Sequence, residues 1–136
     1  MHMEQLDPTL NTLIAQWPEQ AQKQLLAVRA ILHDVSETSQ SGPLDESLKW
    51  GQPAWRPRRP RTGATLRLNW SDAAPDRLMA FVDCKTDLAS QMSTRFPGQF
   101  ENDGRRALAF DLNEALPVDA IAQLAQLTFT YHQCKT

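Results

Sequence analysis

The apolar residues of this chain change period twice. Up to Val35, and again after Pro117, they recur every third or fourth residue; between Leu48 and about Leu112, the short stretch from Leu88 to Phe96 apart, they recur mostly every second. The first spacing lines one side of a helix and the second lines one face of a strand. The candidate strands are mostly joined by short turns, and a parallel crossover needs a dozen residues or more. The chain is therefore expected to be α+β, a mostly antiparallel sheet of five to six strands with helices packed mainly on one face. The expected order is α-α-β-β-β-β-α-β-α. A length of 136 residues suits one domain with one core. The expected layout is a single domain over 1–136, with a flexible N-terminus at 1–6 and an exposed basic loop at 56–64.

The helical signals are local. Asp7 can cap a first helix whose first position is Pro8, with Leu6, Leu10, Leu13 and Trp17 along one side. Pro18 and Glu19 open a second helix. Its stripe is Ala21, Leu25, Val28, Leu32 and Val35, with Gln20, Lys23, Arg29 and Asp34 on the outer side. Thr86-Asp87 caps a short helix carrying Leu88, Met92 and Phe96, stopped by Pro97-Gly98. Pro117 opens the last helix, expected to run to about Cys134.

The strand signals lie between. Residues 46–50 read as a short strand ahead of a bend at Gly51-Gln52-Pro53. Ala54-Trp55-Arg56 reads as an edge or irregular strand, because Pro53, Pro57 and Pro60 cannot donate to a ladder. Residues 65–70 alternate, with Leu66, Leu68 and Trp70 on one side and Arg67 and Asn69 on the other. Residues 77–84 are apolar on both sides, which suits a central, well-covered strand. Residues 100–104 read as a short strand and turn, and residues 106–112 as an alternating strand.

Composition narrows the function classes. The net charge of −2 and a pI near 5.9 give no general pull toward nucleic acid or an anionic membrane, so a nucleic-acid partner is not expected. No apolar run approaches the roughly 20 residues that cross a bilayer. No basic and apolar leader opens the chain, and the two cysteines, Cys84 and Cys134, form no disulfide framework. A cytoplasmic setting without a membrane partner is the expectation. His2 is assigned no role.

Several residues carry chemistry. Arg56, Arg58, Arg59 and Arg61 put four charges into six residues. They read either as a phosphate-binding element or as a solvated, proline-stiffened loop. Cys84 stands beside Lys85 at a helix start, where a thiol can become reactive, although no histidine is local to serve as its base. The same turn could hold an anion on free amides of residues 85–88. The pair His132 and Cys134 lacks the further ligands a zinc site needs, and His33 reads as an ordinary helix-end imidazole. No EF-hand, Walker, Rossmann or nucleophile-elbow pattern is present. No cofactor is expected.

Four motifs in order give a resemblance. Glu46 precedes Lys49-Trp50-Gly51-Gln52-Pro53-Ala54-Trp55. Then come Cys84-Lys85-Thr86-Asp87-Leu88, Arg105-Arg106-Ala107-Leu108-Ala109-Phe110, and Leu116-Pro117-Val118-Asp119-Ala120 with Thr130-Tyr131-His132. Over residues 17–135 the chain resembles the YdhG-like bacterial family, small proteins built on a domain of unknown function. Arg105 stands where a subgroup of that family tends to have asparagine, and the arginine run at 56–61 is richer than the family pattern.

The resemblance implies an antiparallel sheet with flanking helices, sometimes compared to frataxin, and it implies no activity. Some members are described as frataxin-like iron chaperones, which rely on an acidic ridge. Helices one and two here offer only Asp7, Glu19, Asp34 and Glu37. The expected function is a non-catalytic binding module for a small anionic ligand or a protein partner. Its expected site residues are Glu46, Lys49, Trp50, Trp55, Arg67, Lys85, Thr86 and Arg106. Iron binding or delivery and an enzyme using Cys84 are the alternatives. Within the Lys-Trp-Gly turn, Trp50 is expected to pack and Gly51 and Pro53 to shape the bend.

Overall fold

A computed structural model describes residues 6–133. The expectations placed on residues 1–5, among them His2, and on Cys134 lie outside the described residues. The chain forms α1 (Pro8–Ile14), α2 (Glu19–Thr38), β1 (Leu44–Lys49), β2 (Gln52–Pro57), β3 (Leu66–Asn69) and β4 (Arg77–Phe81). It continues through α3 (Leu88–Arg95), β5 (Glu101–Asn102), β6 (Ala107–Asp111) and α4 (Val118–Phe129). The six strands make one sheet in the order β1-β2-β3-β4-β6-β5. Every neighbouring pair is antiparallel, as short connections require.

The register sorts the side chains. Trp55 opposes Leu66, Leu68 opposes Ala80, Ala80 opposes Leu108, and Leu78 opposes Phe110. These residues are buried and join the stripes of α1 to α4, including Leu10, Leu25, Leu32, Met92 and Leu124, in one core. On the other face Arg67 opposes Phe81, Phe81 opposes Ala107, and Asn69 opposes Met79. Those five side chains are only half-buried. The strand expected to be covered on both faces is thus central in position but fully buried on one face alone.

The proline-rich strand is interior, not an edge. The amide of Arg58 donates to Pro43 at 2.9 Å, so by alternation the even-numbered amides of β2 face β1 and the odd-numbered ones face β3. Pro53 and Pro57 therefore lack a donor only on the β3 side. There the ladder covers just Ala54 and Trp55, and it stops one residue short of Pro53. The prolines limit how far β3 can pair and leave the long β1–β2 hairpin intact.

The two capped starts differ. Asp7 accepts the amide of Thr9 at 2.8 Å and caps α1 as expected. Pro18 occupies the cap position of α2, which begins one residue later. Arg29, expected on the outer side of α2, is only 4% exposed. It lies four residues after Leu25 and three before Leu32, on the same stripe.

α4 stops at Phe129, short of the expected Cys134. The run Thr128-Phe129-Thr130-Tyr131 has low helix propensity. The chain beyond it is drawn onto the loop before β3. Ala64 donates its amide to Thr128 O at 2.8 Å, and the His132 amide donates to Thr62 O at 3.2 Å. Within the segment expected to be an exposed loop, 56–64, Arg56 and residues 58–61 are exposed, but Arg56 and Pro57 belong to β2, Pro57 and Thr62 are buried, and Gly63 and Ala64 are half-buried. A Cβ on Gly63 would come within 2.2 Å of the Phe129 carbonyl oxygen, so this docking requires glycine for close approach. Gly63→Ala is expected to lose about 1–3 kcal/mol in urea unfolding, the scale of overpacking a tight contact. A variant as stable as the parent would mean that the loop does not dock on α4 in this way.

Candidate functional site

Two separate groups of polar residues emerge, and they divide the eight expected site residues between them. The first is internal. Glu46 of β1 points toward α2, where Arg29 grips both of its carboxylate oxygens; the Nη2 to Oε1 distance is 3.0 Å. His33 Nε2 lies 2.9 Å from Glu46 Oε2, and Trp55 Nε1 donates to that same oxygen at 2.7 Å. Arg29 and His33 are four residues apart, hence on one side of α2. Burial pushes the Glu46 carboxyl up. Hydrogen bonds from His33, Arg29 and Trp55, together with the Arg29 charge, outweigh it and hold the group at about 2.

Glu46 and Trp55 therefore serve this cluster and do not line the groove described next. Trp55 is fully buried. The partners Arg29 and His33 were missed in the sequence. The signal for Arg29 was its place on the apolar stripe of α2, a position that calls for an acid across the interface.

The second group lines a groove of about 800 Å³ at one end of the sheet. Six of the expected residues meet there: Lys49, Trp50, Arg67, Lys85, Thr86 and Arg106. Cys84, Asp83 and His132 share its wall. Each contributor is set by a local device. Lys49 and Gln52 close the β1–β2 hairpin around Trp50 and Gly51, which both have positive φ (57° and 73°). That is the pattern of a two-residue type I′ turn, matched to the strand twist. Glycine takes it freely, whereas a tryptophan there costs about 1–2 kcal/mol.

Trp50 does not pack, contrary to expectation; its side chain is 81% exposed at the hairpin tip. Arg67 is held more firmly. Its Nη1 donates to Gln52 Oε1 at 2.7 Å, and its guanidinium lies 5.2 Å from the centre of the Phe81 ring. Burial lowers its pKa, the nearby charge of Arg106 lowers it further, and Asp83 opposes both. Arg67 and Arg106 are thus close enough to repel each other.

Arg106 stands at the start of β6 on a turn organised by Asp103. That carboxylate accepts the amides of Arg105, Arg106 and Ala107 at 2.8, 2.9 and 3.0 Å. Those three bonds hold its pKa below the ordinary aspartate value. The turn after β4 is organised by Asp83. It accepts the Lys85 amide at 2.9 Å on its side chain and the Thr86 amide and hydroxyl on its carbonyl. The Leu88 amide reaches Thr86 Oγ1 at 3.4 Å. Three of the amides expected to be free for an anion at 85–88 are thus already engaged. What this turn offers a ligand is the side chain of Lys85.

Cys84 is exposed, in the turn beyond the end of β4. His132 lines the same groove, but no hydrogen bond joins it to the thiol, and His33 is bound to Glu46. Among the described residues no three His, Cys, Asp or Glu side chains come together as metal ligands would, so the iron reading gains no geometric support. No helix among the described residues is long and apolar enough to cross a membrane. Within the arginine-rich segment, Arg58 pairs with Asp45 at 2.8 Å and Arg59 donates to Gln40 O at 2.7 Å.

Comparison with known protein families, curated proteins and solved structures returns no match to this chain.

The Glu46 cluster makes stability depend on acid. Its carboxyl lies below its ordinary value of 4.5 in the fold, so its contribution is complete above about pH 4.5 and is lost as pH falls toward 2. Glu46→Gln is expected to cost about 3–5 kcal/mol near neutral pH, because Arg29 is left buried and unpaired. It should also flatten the stability profile between pH 4.5 and 2. Urea unfolding across that window checks both; a variant whose profile runs parallel to the parent would remove Glu46 as the group responsible.

Proposed function

We propose that this chain is a non-catalytic binding module for a small anionic ligand taken up in the groove at the strand ends. The observation that carries the reading is the charge of the lining. Lys49, Arg67, Lys85 and Arg106 face one concave space that contains a single carboxylate, Asp83. Among the described residues, the side chains of Lys49, Lys85 and Arg106 make no hydrogen bond or ion pair, so their donors are available. A groove of this size falls within the roughly 300–1,000 Å³ of small-molecule sites. Its concavity favours a small ligand over a protein partner, which calls for a broad, flatter patch.

A further support comes from the motifs. Lys49-Trp50, the Cys84-Lys85-Thr86 turn and Arg106 were quoted separately for the resemblance to the YdhG-like family, and all of them border this one groove. Such gathering suits a shared role as a binding surface. Like-charge repulsion between Arg67 and Arg106 would be relieved by an anion between them. Guanidinium groups suit phosphate or carboxylate because they can donate two parallel bonds.

The test is calorimetry with inorganic pyrophosphate at low ionic strength. Arg106→Ala is expected to weaken binding about tenfold or more, the usual loss for a charged hydrogen bond. Arg58→Ala, which removes a cation bonded to Asp45 and outside the groove, should leave binding unchanged. Raised salt should weaken the parent's binding. Equal losses in the two variants, or no binding at millimolar pyrophosphate, would defeat the proposal.

A further inference from the structure

We infer that the ligand is a nucleotide with at least two phosphates, its base stacked on Trp50 and its phosphates held by the cations beyond it. This rests on the anion-binding reading of the groove and specifies the chemistry of what enters it. The first observation is Trp50. A hairpin of this register needs only asparagine or glycine at that position. Instead it carries the largest side chain available, in a left-handed conformation and 81% exposed. Packing does not account for it, since the ring leaves most of its surface in solvent. Its ring borders the groove beside Lys49, where a planar ligand could lie against it.

The second observation is the amount and extent of charge. Four cations against one carboxylate exceed what a single carboxylate or phosphate monoester would neutralise. The cationic lining also continues. Gly63, Thr65 and His132 are shared with an adjoining cleft of about 540 Å³, which Arg56, Arg59 and Arg61 line. An aromatic platform next to an extended cationic track is the combination that binds a base and its phosphates together. The net charge of −2 and the pI near 5.9 argue for a free nucleotide over a nucleic-acid strand.

The experiment compares ADP, inorganic pyrophosphate, adenosine and an eight-residue oligothymidylate by calorimetry, on the parent, Trp50→Ala, Trp50→Phe and Arg106→Ala. ADP is expected to bind at least about tenfold more tightly than pyrophosphate, the scale of one base stacked on an aromatic ring. Trp50→Ala should remove that margin and leave pyrophosphate binding within about twofold, while Trp50→Phe restores most of it. Arg106→Ala should weaken ADP and pyrophosphate alike. If pyrophosphate binds and Trp50→Ala changes neither affinity, the nucleotide inference falls while the anion site stands. If neither ADP nor pyrophosphate binds, both fall. Tighter binding of the oligonucleotide than of ADP would overturn the assignment to a free nucleotide.

Discussion

The carboxylate of Glu46 joins the two layers of the molecule at the β1 end of the sheet. It takes bonds from Arg29 and His33 on α2 and from Trp55 on β2 while belonging to β1. A buried guanidinium without this partner would be costly, and so would the carboxylate without its donors. The pair therefore specifies one docking of α2 on the sheet more than it adds to stability, since a well-packed apolar pair of equal volume could serve as well. Glu46 is three residues ahead of Lys49, so the same contact also sets where the hairpin tip lies. The position of Trp50 depends on a bond made on the opposite face of β1.

From that anchor the groove is assembled by small, independent devices. A type I′ turn presents Trp50, an aspartate carbonyl and carboxylate shape the turn of Lys85, and a second aspartate on three amides presents Arg106. Gly63 lets the fourth wall close against the end of α4. Each device satisfies backbone groups locally, which leaves the long cationic side chains free of structural duty. Arg67 is the exception. It is fixed by Gln52 and Phe81, and a fixed guanidinium loses less entropy on gripping an anion than a free one does.

Much of the fold was legible because it rests on period and turn length. The switch from 3.6 to 2 and back, and connections too short for crossovers, leave little besides an antiparallel sheet with helices against it. What could not be read were matters of partner and direction. Pro53 and Pro57 look like edge residues until the parity of β2 shows that they miss donors only where β3 is absent. Arg29 looks like a surface charge until Glu46 is placed opposite it. Gly63 carries no turn signature, because its need for hydrogen in place of Cβ comes from Phe129, far along the chain. The groove was legible as a set of residues and not as a shape. Glu46 and Trp55 came in through the motif they share with Lys49 and Trp50, but strand alternation turns them to the other face.

The arginine-rich segment extends the cationic lining beyond the groove but does not by itself build a site, since a charge run in sequence need only be a solvated face. Two of its four arginines are already engaged, Arg58 by Asp45 and Arg59 by the Gln40 carbonyl, and the cleft that Arg56, Arg59 and Arg61 line draws its arginines from this one run. The groove on the other side of Gly63 draws its cations from four separate segments, Lys49, Lys85 and Arg106 at turns and Arg67 on β3. A run of like charges needs no fold to bring it together and is satisfied by solvent. Cations gathered from distant segments repel one another at a cost the fold must meet, as the Arg67–Arg106 pair shows. That repulsion, together with a tryptophan held in a left-handed turn beside it, is what the proposed anionic, planar ligand would offset.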